Sequence, residues 1–205
     1  MPHDHSDDHS HMSDIDARVR ALESLLSEKG YIDSAAVDEI VQTYETQIGP
    51  QNGAHVVAKA WTDPVFRDWL AADATAAIHS LGYTSRQGEH MEAVFNDADT
   101  HHLVVCTLCS CYPWSVLGLP PVWYKSPPFR SRAVIDPRGV LAEFGLTLPD
   151  HVAVQVHDST AEIRYLVIPQ RPLGSEGMDE ASLRRLVTRN AMIGTGLALS
   201  PEATS

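Results

Sequence analysis

All three cysteines of this 205-residue chain fall in one stretch, Val105-Cys106-Thr107-Leu108-Cys109-Ser110-Cys111-Tyr112-Pro113-Trp114. Three thiols so close together cannot all pair with one another as disulfides, but they can converge on one metal ion. Cys106 and Cys109 in C-x-x-C spacing put two sulfurs on one side of a tight turn. Cys111 brings a third round, with Ser110 held between. In so short a loop the backbone amides of Ser110 and Cys111 also point toward whatever the sulfurs hold. An ion there could take three sulfur and two nitrogen ligands, leaving the sixth octahedral position open. Other uses of the thiols remain in play. Structural zinc wants four closed ligands; no second cysteine pair exists, and His101 or His102 would have to fold back to complete a Cys3His set. An iron–sulfur cluster normally takes four thiolates. A metal-free thiol cluster would leave soft, oxidisable groups without a purpose.

The remaining sequence supplies a frame for this loop. Ile15, Val19, Leu22, Leu25 and Leu26 follow helical spacing, with Gly30 as the stop. Asp33 is placed to cap a second helix carrying Val37, Ile40, Val41, Tyr44 and Ile48, which Gly49-Pro50 should end. A short helical or turn segment spans 53–61. Asp63-Pro64 opens a further helix with Phe66, Leu70, Ala74, Ile78 and Leu81 inward and Gly82 at its close. The period then changes. Met91 to Phe95 and His101 to Val105 read as strands joined by a turn at 96–99, the second leading directly into the cysteines. A proline-stiffened irregular stretch to residue 134 follows, then a short helix from Asp136-Pro137 to Gly145. Val152, Val154 and Val156 alternate, as do Ile163, Tyr165 and Val167, giving two more strands joined across 157–162. A last helix is expected over 179–192, with Leu183, Leu186 and Val187 inward. The sum is an α+β fold: a tail at 1–14, a helical arm at 15–50, a metal-binding domain of short strands and helices at 51–195, and a loose end at 196–205.

Composition narrows the partners. At 43% hydrophobic the chain reads as globular, and one of this length buries roughly 70% of its unfolded surface. A net charge of −12 argues against a nucleic-acid phosphate backbone. No apolar run approaches the ~20 residues that span a bilayer, and no secretory signal is evident. Clustered thiols without a disulfide framework point to the cytoplasm. The His- and Asp-rich start (His3, His5, His9 and His11 among Asp4, Asp7 and Asp8) has nothing to bury and reads as a solvated tail, with metal delivery as the functional alternative.

The segment Cys106-Thr107-Leu108-Cys109-Ser110-Cys111 with Tyr112-Pro113-Trp114 and Leu117-Gly118-Leu119-Pro120-Pro121 strongly resembles the α subunit of nitrile hydratase. So do Val56-Val57-Ala58-Lys59-Ala60-Trp61, Trp123-Tyr124-Lys125, Arg130-Ser131-Arg132, Asp136-Pro137-Arg138 and Pro169-Gln170-Arg171-Pro172, so that the resemblance spans roughly residues 15–195. It implies a low-spin trivalent metal held by the sulfurs of Cys106, Cys109 and Cys111 and the amide nitrogens of Ser110 and Cys111. Thr107 at its position goes with cobalt (Co3+) rather than iron. It further implies Cys109 as a sulfinic acid and Cys111 as a sulfenic acid, Cys111 and Ser110 at the reacting centre, Trp114 and Gln87 beside the substrate pocket, and Asp158 and Arg164 supporting the loop. The partners implied are a β subunit, in αβ or α2β2 form, onto which the N-terminal helices fold, a cobalt-inserting activator protein, and a small nitrile hydrated to its amide. Three positions depart from the pattern: Ser115 where Pro is usual, His157 where Trp commonly precedes the Asp, and Thr160-Ala161 for a Ser pair. The nearest rivals are the metal-bearing subunit of thiocyanate hydrolase, which shares the loop, and a non-catalytic cobalt carrier or assembly protein.

Overall fold

The computed structural model describes residues 14–33, 35, 49–83, 90–109 and 111–204. By internal contacts the chain divides into two units, Met1–Thr43 and Tyr44–Ser205. In the first, α1 (Asp14–Glu28) ends at Gly30, whose φ of 70° lets the Tyr31 N–H return to the Leu26 carbonyl at 2.9 Å. Val19, Leu22 and Leu25 on this helix are exposed. The second helix expected from Val37 to Ile48 lies outside the described residues.

In the second unit the helices form largely where capping chemistry permits. Pro50 starts a helix where an end was expected: α2 (Pro50–Thr62) takes Gly49 as N-cap and Pro50 in its first turn, and the segment is a full helix. It buries Val56, Val57, Ala58 and Ala60. The long helix expected after Asp63 is two, α3 (Pro64–Ala72) and α4 (Ala74–Ser80). Asp63 and Asp73 cap them in turn, accepting from the N–H groups of Phe66 and Ala76. Phe66, Leu70, Ala74 and Ile78 still face inward, because the break at Asp73 redirects the chain without turning its apolar side out.

Four strands were expected and four are present among the described residues, β1 (His90–Phe95), β2 (Thr100–Val105), β3 (Ala153–Asp158) and β4 (Ile163–Ile168). The strands joined by short turns do not pair with each other. β1 runs parallel to β4, and β2 parallel to β3, so the long connection from β2 to β3 is a crossover nested between β1 and β4. The tight turn between β1 and β2 is held by Asp97, whose carboxylate accepts from the Asp99 and Thr100 N–H groups. On β4, Arg164, Leu166, Val167 and Ile168 are buried while Ile163 and Tyr165 are half-buried, so both faces are covered toward the end of the strand and the apolar alternation does not mark a single inward face.

The stretch expected to be irregular contains three helices, α5 (Trp114–Leu117), α6 (Val122–Lys125) and α7 (Pro127–Ile135). Its prolines sit at helix starts, where the missing N–H is harmless. α8 (Pro137–Glu143) is capped by Asp136 as predicted. The final helix divides into α9 (Glu180–Arg184) and α10 (Arg189–Ile193), the second capped by Thr188. Leu183 and Leu186 are fully buried and Val187 nearly so. The loose end holds a 3-10 turn at Pro201–Thr204, and the Leu199 N–H reaches the Leu186 carbonyl at 2.7 Å. Among the described residues no helix is long and apolar enough to cross a membrane.

Candidate metal centre

Parallel pairing decides what surrounds the cysteines. Val105, the last residue of β2, lies opposite Asp158, the last of β3, so the aspartate stands beside the loop as it leaves the sheet. Asp158 Oδ1 accepts from the Thr107 N–H at 2.9 Å, and Oδ2 accepts from the Thr107 hydroxyl at 2.5 Å. The Ser159 N–H donates to the Val105 carbonyl at 2.7 Å. One carboxylate thus fixes the first turn of the loop with two charge-assisted bonds.

Within the loop the Cys109 N–H donates to Cys106 Sγ at 3.3 Å. The Cys106 and Cys109 sulfurs stand 3.4 Å apart, and those of Cys109 and Cys111 3.2 Å apart. These are free thiols in contact, all three within 4.8 Å of one another. Sulfurs bound at ~2.3 Å to one ion lie about 3.3 Å apart at right angles and about 3.8 Å apart at the tetrahedral angle. The two contacts at 3.4 and 3.2 Å lie close to the right-angle value, and the third pair lies within 4.8 Å. The histidines offered for a Cys3His site are engaged elsewhere: His101 Nε2 meets the Gly194 carbonyl at 2.7 Å, and His102 Nδ1 meets His157 Nε2 at 2.8 Å. Among the described residues the cysteines form the metal-ligating group without a histidine.

Burial grades the three thiols. Cys106 is buried, Cys111 half-buried and Cys109 exposed. Burial, and then the hydrogen bonds with Cys109 and Cys106, push the Cys111 thiol up to about 12. A cation at the centre of the three would reverse that cost, so the donor set suits a positive ion and binding it should release protons.

Other side chains hold the outside of the loop. Tyr124 on α6 is fully buried and donates its hydroxyl to the Cys111 carbonyl at 2.9 Å. Its ring packs edge-on to Tyr112 and lies near Trp123 and Phe129. Arg130 on α7 donates from Nη1 to the carbonyls of Cys109 at 3.3 Å and Thr107 at 3.5 Å. The sequence reading singled out the motifs containing Tyr124 and Arg130 but gave neither residue a task. Their contacts depend on helices within a stretch that prolines had made look irregular.

The other expected site residues are spread differently. Trp114 opens α5, half-buried and packed against the core. Arg164 is buried in β4 and donates to the Thr160 carbonyl, and its positive charge favours the Cys111 thiolate. Gln87 and Ser110 lie outside the described residues. Of the departures, Ser115 is buried with its carbonyl accepting from Asn52 at 3.1 Å, and His157 stacks between His102 and Tyr165.

A family model described as "Nitrile hydratase, alpha chain" matches residues 13–196. The high-molecular weight cobalt-containing nitrile hydratase subunit alpha of Rhodococcus rhodochrous is 58% identical over 191 residues, covering 93% of this chain and 94% of the relative. The thiocyanate hydrolase subunit gamma of Thiobacillus thioparus is 38% identical over 197 residues, covering 91% of this chain and 81% of the relative. Among solved structures, a double mutant of the Fe-type nitrile hydratase from Comamonas testosteroni Ni1 superposes with a TM-score of 0.84 at 39% identity, covering 91% of each chain.

Proposed function

The chain belongs to the nitrile hydratase α-chain family, and from that premise we propose that it is the metal-bearing α subunit of a cobalt nitrile hydratase, adding water across the C≡N bond of a nitrile to give the amide. The observation that carries this reading is the convergence of the Cys106, Cys109 and Cys111 sulfurs within 4.8 Å of one another in a loop whose backbone is fixed from outside. Cys106, Cys109 and Cys111 would hold the ion through sulfur, with the backbone nitrogens of Ser110 and Cys111 completing five donors. Cobalt is favoured over iron by Thr107 and by the name of the 58% identical relative. When bound, the trivalent ion supplies Lewis acidity that polarises the nitrile or activates water.

The chain's own residues do the rest. Asp158 and Tyr124 keep the loop in register, one at each end. The burial order supports oxidation at Cys109 and Cys111 while the buried Cys106 stays a thiolate, since exposed thiols are the reachable ones. Cys111 as a sulfenate would present an oxygen able to attack the nitrile carbon as a nucleophile or to take a proton from water as a base, and Ser110 is assigned to the same reacting centre. Trp114 and Gln87 would border the small substrate, and Arg164 supports the loop from behind.

An α subunit of this family implies a β partner. Leu108, Val122, Val134 and Ile135 are exposed, and Val134 and Ile135 share a hollow with Thr107 and Arg130 that a partner surface would close. We place the assembly in the cytoplasm, where thiols stay reduced until the metal is loaded, and assign insertion to a cobalt-delivering activator.

The test is metal analysis of the co-expressed αβ complex, with intact-peptide mass spectrometry of the segment from Cys106 to Cys111 and assays on nitrile and thiocyanate. One cobalt per chain, two oxygens on Cys109, one on Cys111 and amide formation are expected. Zinc with unmodified thiols, or turnover of thiocyanate alone, would sink the reading.

A further inference from the structure

Arg130 sits in the first turns of α7 with Nη1 on the carbonyl oxygens of Cys109 and Thr107. The Cys109 oxygen belongs to the peptide unit whose nitrogen is that of Ser110. A trans peptide is planar, and its oxygen and its nitrogen substituent point to opposite sides. Holding the oxygen therefore governs which way that nitrogen can face. Electronic structure adds a second effect. When a peptide nitrogen becomes a metal ligand its N–H bond breaks, the proton leaves to a solvent base, and the nitrogen lone pair forms the bond to the ion. The negative charge left on the peptide is shared with the carbonyl oxygen. A guanidinium donating to that oxygen stabilises the charge. Among the described residues no carboxylate forms an ion pair with Arg130, and its Nε has no hydrogen-bond partner, so its positive charge remains available to the loop.

We propose that Arg130 is a positioning residue for the metal-binding peptide: it orients the Cys109–Ser110 peptide unit and compensates the charge that the unit acquires on ligation. The inference rests on the reading that the loop holds a trivalent ion through the Ser110 nitrogen. It assigns to this chain a cation acting on the ligand backbone through the Cys109 and Thr107 carbonyls.

The experiment compares the co-expressed, cobalt-supplied αβ complex of the wild type with Arg130→Met, Arg130→Lys and Arg132→Met. Cobalt per chain after gel filtration, the visible sulfur-to-cobalt absorption band and the melting temperature with and without cobalt are read for each. Arg130→Met should retain roughly 10-fold less cobalt, in the range of lost supports to metal ligands, with a shifted band in what remains. Arg130→Lys should recover part of the loss, because an ammonium brings the charge without the planar fork. Arg132→Met should match the wild type, since Arg132, on the same helix as Arg130, pairs with Glu143 of α8 at 2.5 Å and not with the loop. Wild-type cobalt content and an unmoved band in Arg130→Met overturn the proposal. So does an equal fall in melting temperature with and without cobalt, which marks a purely structural contact. A wild-type complex that takes up no cobalt overturns the parent reading instead, and this inference with it.

Discussion

Asp158 is one side chain making two bonds to Thr107, and its charge is what the loop backbone cannot supply. Asp158→Asn keeps the size and loses the charge. We expect cobalt retention after chelator challenge to fall by about 10–100-fold, with the fold intact by circular dichroism; retention equal to wild type would remove Asp158 from the loop's support. A second prediction concerns His102 and His157, whose rings meet at 2.8 Å between β2 and β3. Burial holds both below the ordinary histidine value, and His102 is lowered further by His157 itself. The folded chain therefore binds fewer protons than the unfolded one between these lowered values and 6.5. Stability rises with pH across that window, is fully present above 6.5 and is lost as pH falls through the lowered values. His157→Phe should flatten the melting temperature against pH on the acid side of 6.5; an unchanged slope would mean that the pair does not titrate with folding. The resemblance implied Asp158 as a support of the loop but not Thr107 as its partner, and the meeting of His157 with His102 was not legible, because the partners lie 51 and 55 residues away.

At the scale of elements, α2 shows how closely the loop's surroundings are packed. Gly53 faces α5 and α10: a Cβ there would stand 2.8 Å from the Val116 carbonyl oxygen and 2.6 Å from Met192 Sδ. The methionine can swing away but the backbone carbonyl cannot, and α5 begins three residues after Cys111. Gly53→Ala should cost roughly 1–3 kcal/mol, seen as a melting temperature lower by roughly 2–10 °C. It should also alter the absorption band of the bound metal, since α5 must move. Gly194, at φ 95°, has a further reason to stay glycine, because a Cβ would collide with the His102 carbonyl of β2. The helix starts at Asp63-Pro64 and Asp136-Pro137 were legible in advance, because an Asp-Pro step is a local signal, whereas those at Gly49-Pro50 and Ser126-Pro127 were not read as starts. The breaks at Asp73 and between α9 and α10 were not, because the apolar spacing runs on through them and only the packing shows that the axis turns.

For the whole molecule the issue is what the chain needs from outside. The His-rich start lies outside the described residues, and the solvated-tail reading makes a plain prediction: deleting residues 2–12 leaves cobalt content and nitrile turnover of the αβ complex unchanged. A loss of cobalt on deletion would show a delivery role. Cobalt loading should raise the melting temperature of the assembled complex, because an ion held by three sulfurs of the folded loop binds the native state far better than the unfolded one. The convergence of the three cysteines and the helix starts at Asp63 and Asp136 follow from residues adjacent in the chain, so the sequence alone determined them: local spacing fixes local geometry. Strand pairing and the reach of Asp158, Tyr124 and Arg130 onto the loop were decided by the tertiary structure. Alternation marks which face of a strand is apolar but not which strand lies beside it, and side chains meeting across long crossovers do so only once the core has chosen the parallel register.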